Sequence, residues 1–256
     1  MKISLVQPDT IWVNKIDNLR KLEILILPLF NKTDIVVLPE MFNTGFSMNP
    51  ANLCEQPGKD TFKWMKSIAE KGNFGLCGSY MVSENNLIYN RFIFISPENE
   101  IWQYDKRHLF RMAGEDKFFT PGRKKVTFRF RDVRISPFIC YDLRFPVWSR
   151  NRNDTDLIIY SANWPEIRKS AWNTLIRARA IENQCFVAGV NRVGTDGNGA
   201  LYCGESMLVN HLGEVIVSAG SSQEGSVTGE ISITELSDFR AKYPFLKDGD
   251  DFTITV

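Results

Sequence analysis

Two short runs of consecutive apolar residues restrict the fold of this chain more than any other feature of its sequence. Residues 35–38 read Ile-Val-Val-Leu, and residues 157–161 read Leu-Ile-Ile-Tyr-Ser. Neither run alternates between apolar and polar residues, which is typical of strands buried on both faces of a parallel sheet. Segments with apolar residues at helical spacing, such as 14–30 and 59–71, lie between such runs. This alternation predicts an α/β fold in which helices cover the sheet.

The rest of the chain continues the same pattern. A β-hairpin is predicted around the turn Pro97-Glu98-Asn99-Glu100, because strand-like segments flank it on both sides. A third helix is predicted at 170–183, with Leu175, Ala178 and Ile181 facing the core. Strands are also predicted at 3–7, 74–82, 87–96, 101–105, 126–130, 133–140, 185–190, 206–210, 215–217 and 227–231, and a short helix at 235–242.

The domain organisation is predicted from the absence of sequence features that usually separate domains. No linker, repeat or low-complexity stretch interrupts it, so residues 1–256 are predicted to form one domain. A single α/β domain can reach about 250 residues. A chain of this size can bury roughly three quarters of its unfolded surface, and it needs no disulfide or metal to stabilise its core. The pattern fits either one sheet with helices on both faces or two sheets that are each covered by helices.

Charge and composition exclude several classes of partner. Lys and Arg number 31 against 30 Asp and Glu, so no bulk charge favours nucleic acid or a membrane surface. The longest apolar run, 24–30, is far shorter than the roughly 18 residues of a membrane span, and the N-terminal apolar stretch is too short for a signal peptide. Five cysteines without a Cys-x-x-Cys pattern indicate reduced thiols and a cytoplasmic protein. The two histidines have no cysteine pair nearby, so no metal site is expected.

Polar residues follow three of the predicted buried strands. Glu40 follows 35–38, Cys140 follows the strand that begins at Val133, and the stretch Ser161-Ala162-Asn163-Trp164 follows 157–160. Ligands of α/β proteins bind outside the carboxyl ends of such strands, so these residues are expected to lie close together at the opening of one ligand-binding site. Taken singly, each has a simpler interpretation: Cys140 as a buried small side chain and Glu40 as a loop carboxylate. Lys106, at the end of the hairpin, would by itself be a solvated loop lysine.

Taken together, these residues carry a resemblance to a known family. The segments Leu38-Pro39-Glu40, Lys106-Arg107-His108-Leu109 and Cys140-Tyr141-Asp142-Leu143-Arg144-Phe145-Pro146 occur in this order. The chain resembles the nitrilase superfamily of carbon–nitrogen hydrolases from Ile3 to its last strand. The resemblance implies a Glu40–Lys106–Cys140 triad, with Glu115 as the family's additional glutamate. It also implies a four-layer α-β-β-α sandwich that pairs into a homodimer.

The implied chemistry needs no histidine and no cofactor. Glu40 would take the thiol proton of Cys140, and the thiolate would attack an amide carbonyl to form a thioester. Lys106 and the backbone N–H of Tyr141 would stabilise the oxyanion. Glu40 would then protonate the departing ammonia and activate the water that releases the acid. Glu115 would fix the geometry of Glu40 or Lys106.

Details of the motifs point to one branch of the superfamily. Cys140-Tyr141-Asp142 is similar to the amidase members, whereas nitrile hydrolysers usually carry Cys-Trp-Glu at this place. Residues 144–148 depart from the commoner Phe-Pro-Glu pattern, which weakens a match to the deaminated-glutathione amidases. Segments 41–48 and 161–165 resemble the bacterial omega-amidases. Such enzymes hydrolyse ω-amides of 2-oxo acids, such as 2-oxoglutaramate and 2-oxosuccinamate.

A small-molecule amide with an α-carboxylate is therefore the expected partner. Arginine is the best geometric match for a carboxylate, and Arg111 and Arg144 lie close to the motif segments. Tyr141 lies next to the proposed nucleophile. Phe42, Phe110 and Trp164 are the candidate walls of the pocket. Two other interpretations stay open: another amidase, carbamoylase or acyltransferase of the same superfamily, and a binding module on this fold without catalysis.

Overall fold

Two six-stranded sheets form the centre of the molecule. The computed structural model describes residues 1–255, so the last residue of the predicted domain, Val256, lies outside the described residues. The strands are β1 Lys2–Gln7, β2 Ile35–Val37, β3 Gly75–Glu84, β4 Leu87–Ile95, β5 Ile101–Asp105, β6 Phe128–Phe130, β7 Val133–Ile139, β8 Leu157–Ser161, β9 Phe186–Val190, β10 Val193–Thr195, β11 Leu201–Cys203, β12 Met207–Val209, β13 Val215–Ser218 and β14 Gly225–Glu230. The helices are α1 Lys15–Ile26, α2 Asp60–Gly72, α3 Lys169–Asn183 and α4 Ile233–Lys242.

The strand order repeats in the two halves of the chain. The first sheet has the order β14-β1-β2-β3-β4-β5 and the second the order β13-β12-β9-β8-β7-β6. In each sheet three consecutive central strands are parallel and the outer strands are antiparallel. The parallel strands include β2 and β8, the two unbroken apolar runs, and every residue of both is buried. The prediction that these runs are strands buried on both faces is confirmed.

Alternate residues of β2 show how the layers are stacked. Ile35 and Val37 belong to a core that also contains side chains of the second sheet, whereas Val36 packs in a separate core with residues of α1 and α2. Side chains of α3 and α4 join the first of these cores from the far side of the second sheet. The layers are therefore helices, sheet, sheet and helices. The predicted α-β-β-α sandwich is confirmed, and the alternative of one sheet between helices is wrong.

Three local predictions differ from the structure. α1 ends at Ile26 rather than continuing to residue 30, because Pro28 permits only a 3-10 turn. α2 ends at Gly72, one residue after the end of the predicted segment 59–71, and the left-handed Asn73 caps it. The predicted buried face of α3 is wrong at Ile181, whereas Leu175 is partly buried against the core as predicted. Ile181 is 53% exposed, while the buried stripe is Trp172, Ile176, Arg179, Ala180 and Asn183. An arginine was not expected in that stripe, but Arg179 donates to the Leu143 carbonyl and to Glu182.

The short hairpin β10–β11 was not predicted at all. Its strands have three residues each, and the glycine-rich stretch between them gave no strand signal. No helix among residues 1–255 is long and apolar enough to span a membrane.

The stacking of the sheets brings carboxyl ends of strands from both together. The Ser161 hydroxyl, at the end of β8, donates to the Leu38 carbonyl after β2 at 2.9 Å. The backbone N–H of Glu40 points to the Ala162 carbonyl at 3.4 Å. Segments that are distant in sequence are therefore held together across the interface between the sheets.

Candidate active site

Four of the residues singled out from the sequence lie in one buried cluster. Glu40 follows β2, Lys106 directly follows β5, and Cys140 directly follows β7. Glu115 begins a 3-10 turn in the loop after Lys106. The Lys106 ammonium lies 2.7 Å from Glu40 Oε1 and 2.9 Å from Glu115 Oε2. The side chains of all three charged residues are completely buried, so the charges interact with little screening by solvent.

The position of Cys140 depends on an unusual backbone conformation. The residue has φ of +43°, in the left-handed region that non-glycine residues rarely adopt. This conformation ends β7 abruptly and starts the 3-10 turn Cys140–Arg144. The thiol donates to the Asn163 carbonyl, with Sγ 3.7 Å from the oxygen. A strained residue at such a position is typical of a functional site whose surroundings maintain the strain.

Glu40 is held in one orientation by three donors. Its Oε1 accepts from Lys106 and from Asn90 Nδ2, both at 2.7 Å, and its Oε2 accepts from the Asn163 backbone N–H at 3.0 Å. Asn90 also donates to Glu115 at 3.2 Å. The sequence analysis missed Asn90, although a polar residue inside a predicted strand is a detectable signal.

The charges in the cluster determine which groups are ionised. Burial tends to lower the pKa of Lys106, but Glu115 and Glu40 outweigh burial and raise its pKa well above the usual value. Burial raises the pKa of Glu115, with Lys106 opposing the shift. Burial and the nearby Glu40 carboxylate raise the pKa of the Cys140 thiol well above its usual range. Lys106 is therefore a permanent cation, and Cys140 is a neutral thiol that needs a base at the moment of attack.

A second buried carboxylate ties the lysine segment to the cysteine turn. Asp142 accepts hydrogen bonds from the backbone N–H groups of Ile139, at 3.0 Å, and His108, at 2.9 Å. The Tyr104 hydroxyl donates to it at 2.7 Å, and His108 Nδ1 lies 2.8 Å from it. These contacts explain why the motif around Cys140 includes an aspartate two residues later. The carboxylate fixes the turn against the end of β5.

A cavity of about 290 Å³ opens beside the cluster. Its walls are mainly aromatic and apolar, and its polar groups are few. The lining residues are Phe46, Lys106, Phe110, Ala113, Cys140, Tyr141, Arg144, Asn163, Trp164, Pro165, Ile167, Arg168, Asp196, Asn198, Ala200 and Tyr202. Four of these residues belong to the unpredicted hairpin β10–β11 and its turn: Asp196, Asn198, Ala200 and Tyr202. The cavity is large enough for a small organic substrate and is closed on one side by this hairpin.

Of the six residues predicted to bind substrate or form the pocket walls, four line the cavity: Phe110, Tyr141, Arg144 and Trp164. The guanidinium of Arg144 lies over the Trp164 ring, 5.0 Å from its centroid. Arg144 forms no salt bridge with any of residues 1–255, so its charge is available to an anion.

The other two predictions, Phe42 and Arg111, are wrong, because neither residue lines the cavity. Phe42 is 0% exposed and packs in the core against Trp64 and Tyr80, because the turn after Glu40 directs it away from the cavity. The Arg111 side chain is 87% exposed, lies outside the cavity and faces Asp116. Its sequence position near Lys106 did not reveal that the loop turns it to the surface. Phe46 and Arg168 line the cavity instead, and neither was predicted.

The comparisons with known proteins agree with this geometry. The carbon–nitrogen hydrolase family profile matches residues 2–241. An omega-amidase of Escherichia coli (strain K12) is 42% identical over 256 residues, covering 99% of this chain and 98% of that protein. A 2-oxoglutaramate amidase of Bacillus subtilis (strain 168) is 34% identical, covering 96% of each chain.

A solved structure shows the same fold. It is that of a carbon–nitrogen hydrolase superfamily protein from Xanthomonas campestris with an arsenic adduct in its active site. That protein superimposes with a TM-score of 0.97 and is 40% identical, covering 100% of this chain and 99% of the other. The resemblance carried by the three motif segments is thus confirmed: the chain belongs to the carbon–nitrogen hydrolase family, within the nitrilase superfamily.

Proposed function

We propose that this chain is an omega-amidase that hydrolyses the terminal amide of 2-oxo acid monoamides, such as 2-oxoglutaramate and 2-oxosuccinamate. The observation that carries the proposal is the buried Glu40–Lys106–Cys140 cluster beside a cavity that also contains the unpaired Arg144. The cluster suits amide hydrolysis, and the arginine suits a substrate carboxylate. The 42% identical omega-amidase and the 34% identical 2-oxoglutaramate amidase support the same assignment.

In the first half of the proposed reaction, Glu40 takes the proton of the Cys140 thiol as sulfur attacks the amide carbon. The carbonyl oxygen becomes an oxyanion that Lys106 and the backbone N–H of Tyr141 stabilise. That N–H belongs to the first turn of the 3-10 segment Cys140–Arg144, where amides have no partner within the helix. Glu40 then transfers its proton to the nitrogen, the C–N bond breaks and ammonia leaves. The product is a thioester on Cys140.

In the second half, Glu40 removes a proton from water as the water oxygen attacks the thioester carbon. The oxyanion forms in the same place, the C–S bond breaks, and the sulfur recovers its proton from Glu40. The acid leaves and the thiol is restored. We assign Glu115 to positioning, because it binds Lys106 through both of its oxygens and also accepts from the Phe110 backbone N–H.

We propose that Arg144 binds the α-carboxylate of the substrate. Replacing it with methionine, in Arg144→Met, should raise the Michaelis constant for the 2-oxo acid amide roughly ten- to hundredfold, the value of a hydrogen bond to a charged group. The carboxylate is remote from the bond that breaks, so kcat should change less than the Michaelis constant. Arg111→Met is the matched control, because that side chain lies outside the cavity. Equal effects of the two substitutions would contradict the assignment.

The substrate preference tests the proposed function itself. Glutamine carries an ammonium where 2-oxoglutaramate carries an uncharged oxo group, and this ammonium would lie close to Arg144. Like-charge contact can cost several kcal/mol, so kcat/KM should favour the 2-oxo acid amide on the order of a hundredfold or more. Ammonia release is measured for both compounds, for asparagine and for a simple nitrile under one condition. Comparable values for 2-oxoglutaramate and glutamine would exclude an omega-amidase, and turnover only with an added acceptor would indicate an acyltransferase.

We further propose that residues 1–256 act as one domain, that two chains form a homodimer, and that the enzyme is cytoplasmic. Support for the dimer comes from large apolar side chains that are exposed in the single chain, among them Ile181, Leu212 and Phe245. Sedimentation equilibrium should give twice the chain mass of 29.4 kDa. All five cysteines are free thiols, which suits a reducing compartment. Cell fractionation tests the location.

A further inference from the structure

Asn163 has one hydrogen-bonding atom that the described residues do not use, and its backbone contacts two of the proposed reacting residues, Glu40 and Cys140. The residue lines the cavity and is 5% exposed. Its backbone N–H donates to Glu40 Oε2 at 3.0 Å, and its carbonyl accepts from the Cys140 thiol at 3.7 Å. Its side-chain Nδ2 donates to the Glu40 backbone carbonyl at 2.6 Å. Its side-chain Oδ1 is buried and has no partner among residues 1–255.

The orientation of this side-chain amide is determined by its partner. The Glu40 carbonyl can only accept a hydrogen bond, so the atom that faces it at 2.6 Å must be the NH₂ nitrogen. Exchange of the two ends of the amide would bring two oxygens together. Oδ1 therefore remains a free acceptor, and a buried acceptor without a donor is unfavourable. A ligand that brings a donor to this place would remove that cost.

The substrate of the proposed reaction has such a donor. When Cys140 attacks the amide carbon, the carbonyl oxygen points to Lys106 and the Tyr141 N–H. The amide nitrogen must then lie towards Glu40, which protonates it, and Glu40 is hydrogen-bonded to Asn163. A primary amide carries two N–H donors, whereas an ester or an acid has none at that position.

We propose that Asn163 Oδ1 accepts a hydrogen bond from the substrate amide nitrogen and that Asn163 selects primary carboxamides over esters of the same acid. This inference rests on the proposed function, in which Cys140 attacks an amide carbonyl. The hydrogen bond strengthens as Glu40 protonates the nitrogen, since a positively charged donor binds an oxygen more strongly than a neutral one. The thioester contains no nitrogen, so Oδ1 acts only in the first half of the reaction.

The test compares an amide with an ester that passes through the same thioester. For wild type and for Asn163→Ala, kcat/KM is measured with two substrates, the amide 2-oxoglutaramate and the 5-methyl ester of 2-oxoglutarate. The substitution should lower the amide value roughly ten- to hundredfold more than the ester value, as expected for a lost hydrogen bond to a charged donor. Asn163→Asp keeps an acceptor at this place. Both of its rates should fall, because it loses the donor to the Glu40 carbonyl, but its ratio of amide to ester should stay near that of wild type.

Ser161→Ala is the control for a purely structural effect. It removes a buried hydrogen bond to the Leu38 carbonyl in the same region, but Ser161 does not line the cavity. Its amide and ester values should change by the same factor. An unchanged ratio in Asn163→Ala, or an equal shift in Ser161→Ala, would overturn the inference. The wild-type rates test the proposed function separately. If wild type prefers another amide, only the proposed preference for 2-oxo acid amides is wrong. The ratio of kcat/KM for amide and ester is then measured with that amide and the ester of the same acid. A wild type that hydrolyses no amide overturns both proposals.

Discussion

Cys140→Ala is expected to lower kcat for amide hydrolysis by at least about ten-thousandfold, the scale found when a nucleophile that acts within a catalytic unit is removed. Without sulfur no thioester can form, and Glu40 and Lys106 could act only on direct attack by water. Alanine at this position also keeps the left-handed backbone without adding bulk. The variant should therefore fold as wild type does, which circular dichroism and thermal unfolding would check.

The matched control for this prediction is Cys185→Ala. Cys185 is also a fully buried thiol, but it packs in the core rather than beside Glu40. Its replacement should leave kcat unchanged and should at most lower the unfolding temperature. Mass spectrometry of wild type quenched during turnover should find the acyl group on Cys140. Near-normal activity of Cys140→Ala, or an acyl group on another cysteine, would overturn the proposed mechanism.

Glu40→Gln is the second change with a large expected effect. General acid–base catalysis typically contributes about a hundred- to ten-thousandfold, and Glu40 is assigned proton transfers in both halves of the reaction. We therefore expect kcat to fall towards the upper end of that range. Gln has nearly the same shape, and its oxygen can still accept from Lys106 and Asn90, which both contact Oε1 in the structure. The Cys140 thiol, whose pKa is raised by burial, would then lack a base.

Glu55→Gln provides the control for removing a buried carboxylate. Glu55 is buried and binds Lys15 and Thr61, but it lies outside the cavity. If loss of activity in Glu40→Gln arose from general destabilisation, Glu55→Gln would show it as well. We expect Glu55→Gln to keep wild-type kcat and to lose stability only. Residual activity in Glu40→Gln above about one per cent would contradict the role of Glu40 as the base, because a hundredfold fall is the lower limit of that role.

The sequence alone predicted an α/β fold, its central strands and the strand ends at which Glu40 and Cys140 lie, but it left open whether the strands form one sheet or two. Unbroken apolar runs such as 35–38 and 157–161 can be satisfied only by burial on both faces, so they predict central strands whatever surrounds them. A charged or reactive residue directly after such a run lies at the edge of the sheet, where ligands of α/β proteins bind. Position singled out Glu40 and Cys140, whereas Lys106 was singled out only by the order of the motif segments and the family resemblance that they carry.

Side-chain direction within loops was decided by the tertiary structure. Phe42 and Arg111 are close in sequence to Glu40 and Lys106, yet one packs in the core and the other lies on the surface. Sequence distance does not specify the loop conformations that turn these side chains away from the cavity. For the same reason Phe46 and Arg168, which line the cavity, could not be distinguished from their neighbours in sequence.

The hydrogen bonds around Asn163 are the clearest example of contacts that could not be predicted from the sequence. Its position after β8 is readable from the sequence, but its hydrogen bonds to Glu40 exist only because β2 and β8 belong to two different sheets that face each other. The hairpin β10–β11, which closes one side of the cavity, has strands too short for a local pattern. The sequence predicted Glu40, Lys106 and Cys140 as the reacting residues, because the order of their motif segments can be read along the chain. The packing of one sheet on the other determined what they touch, because these contacts join residues more than a hundred positions apart.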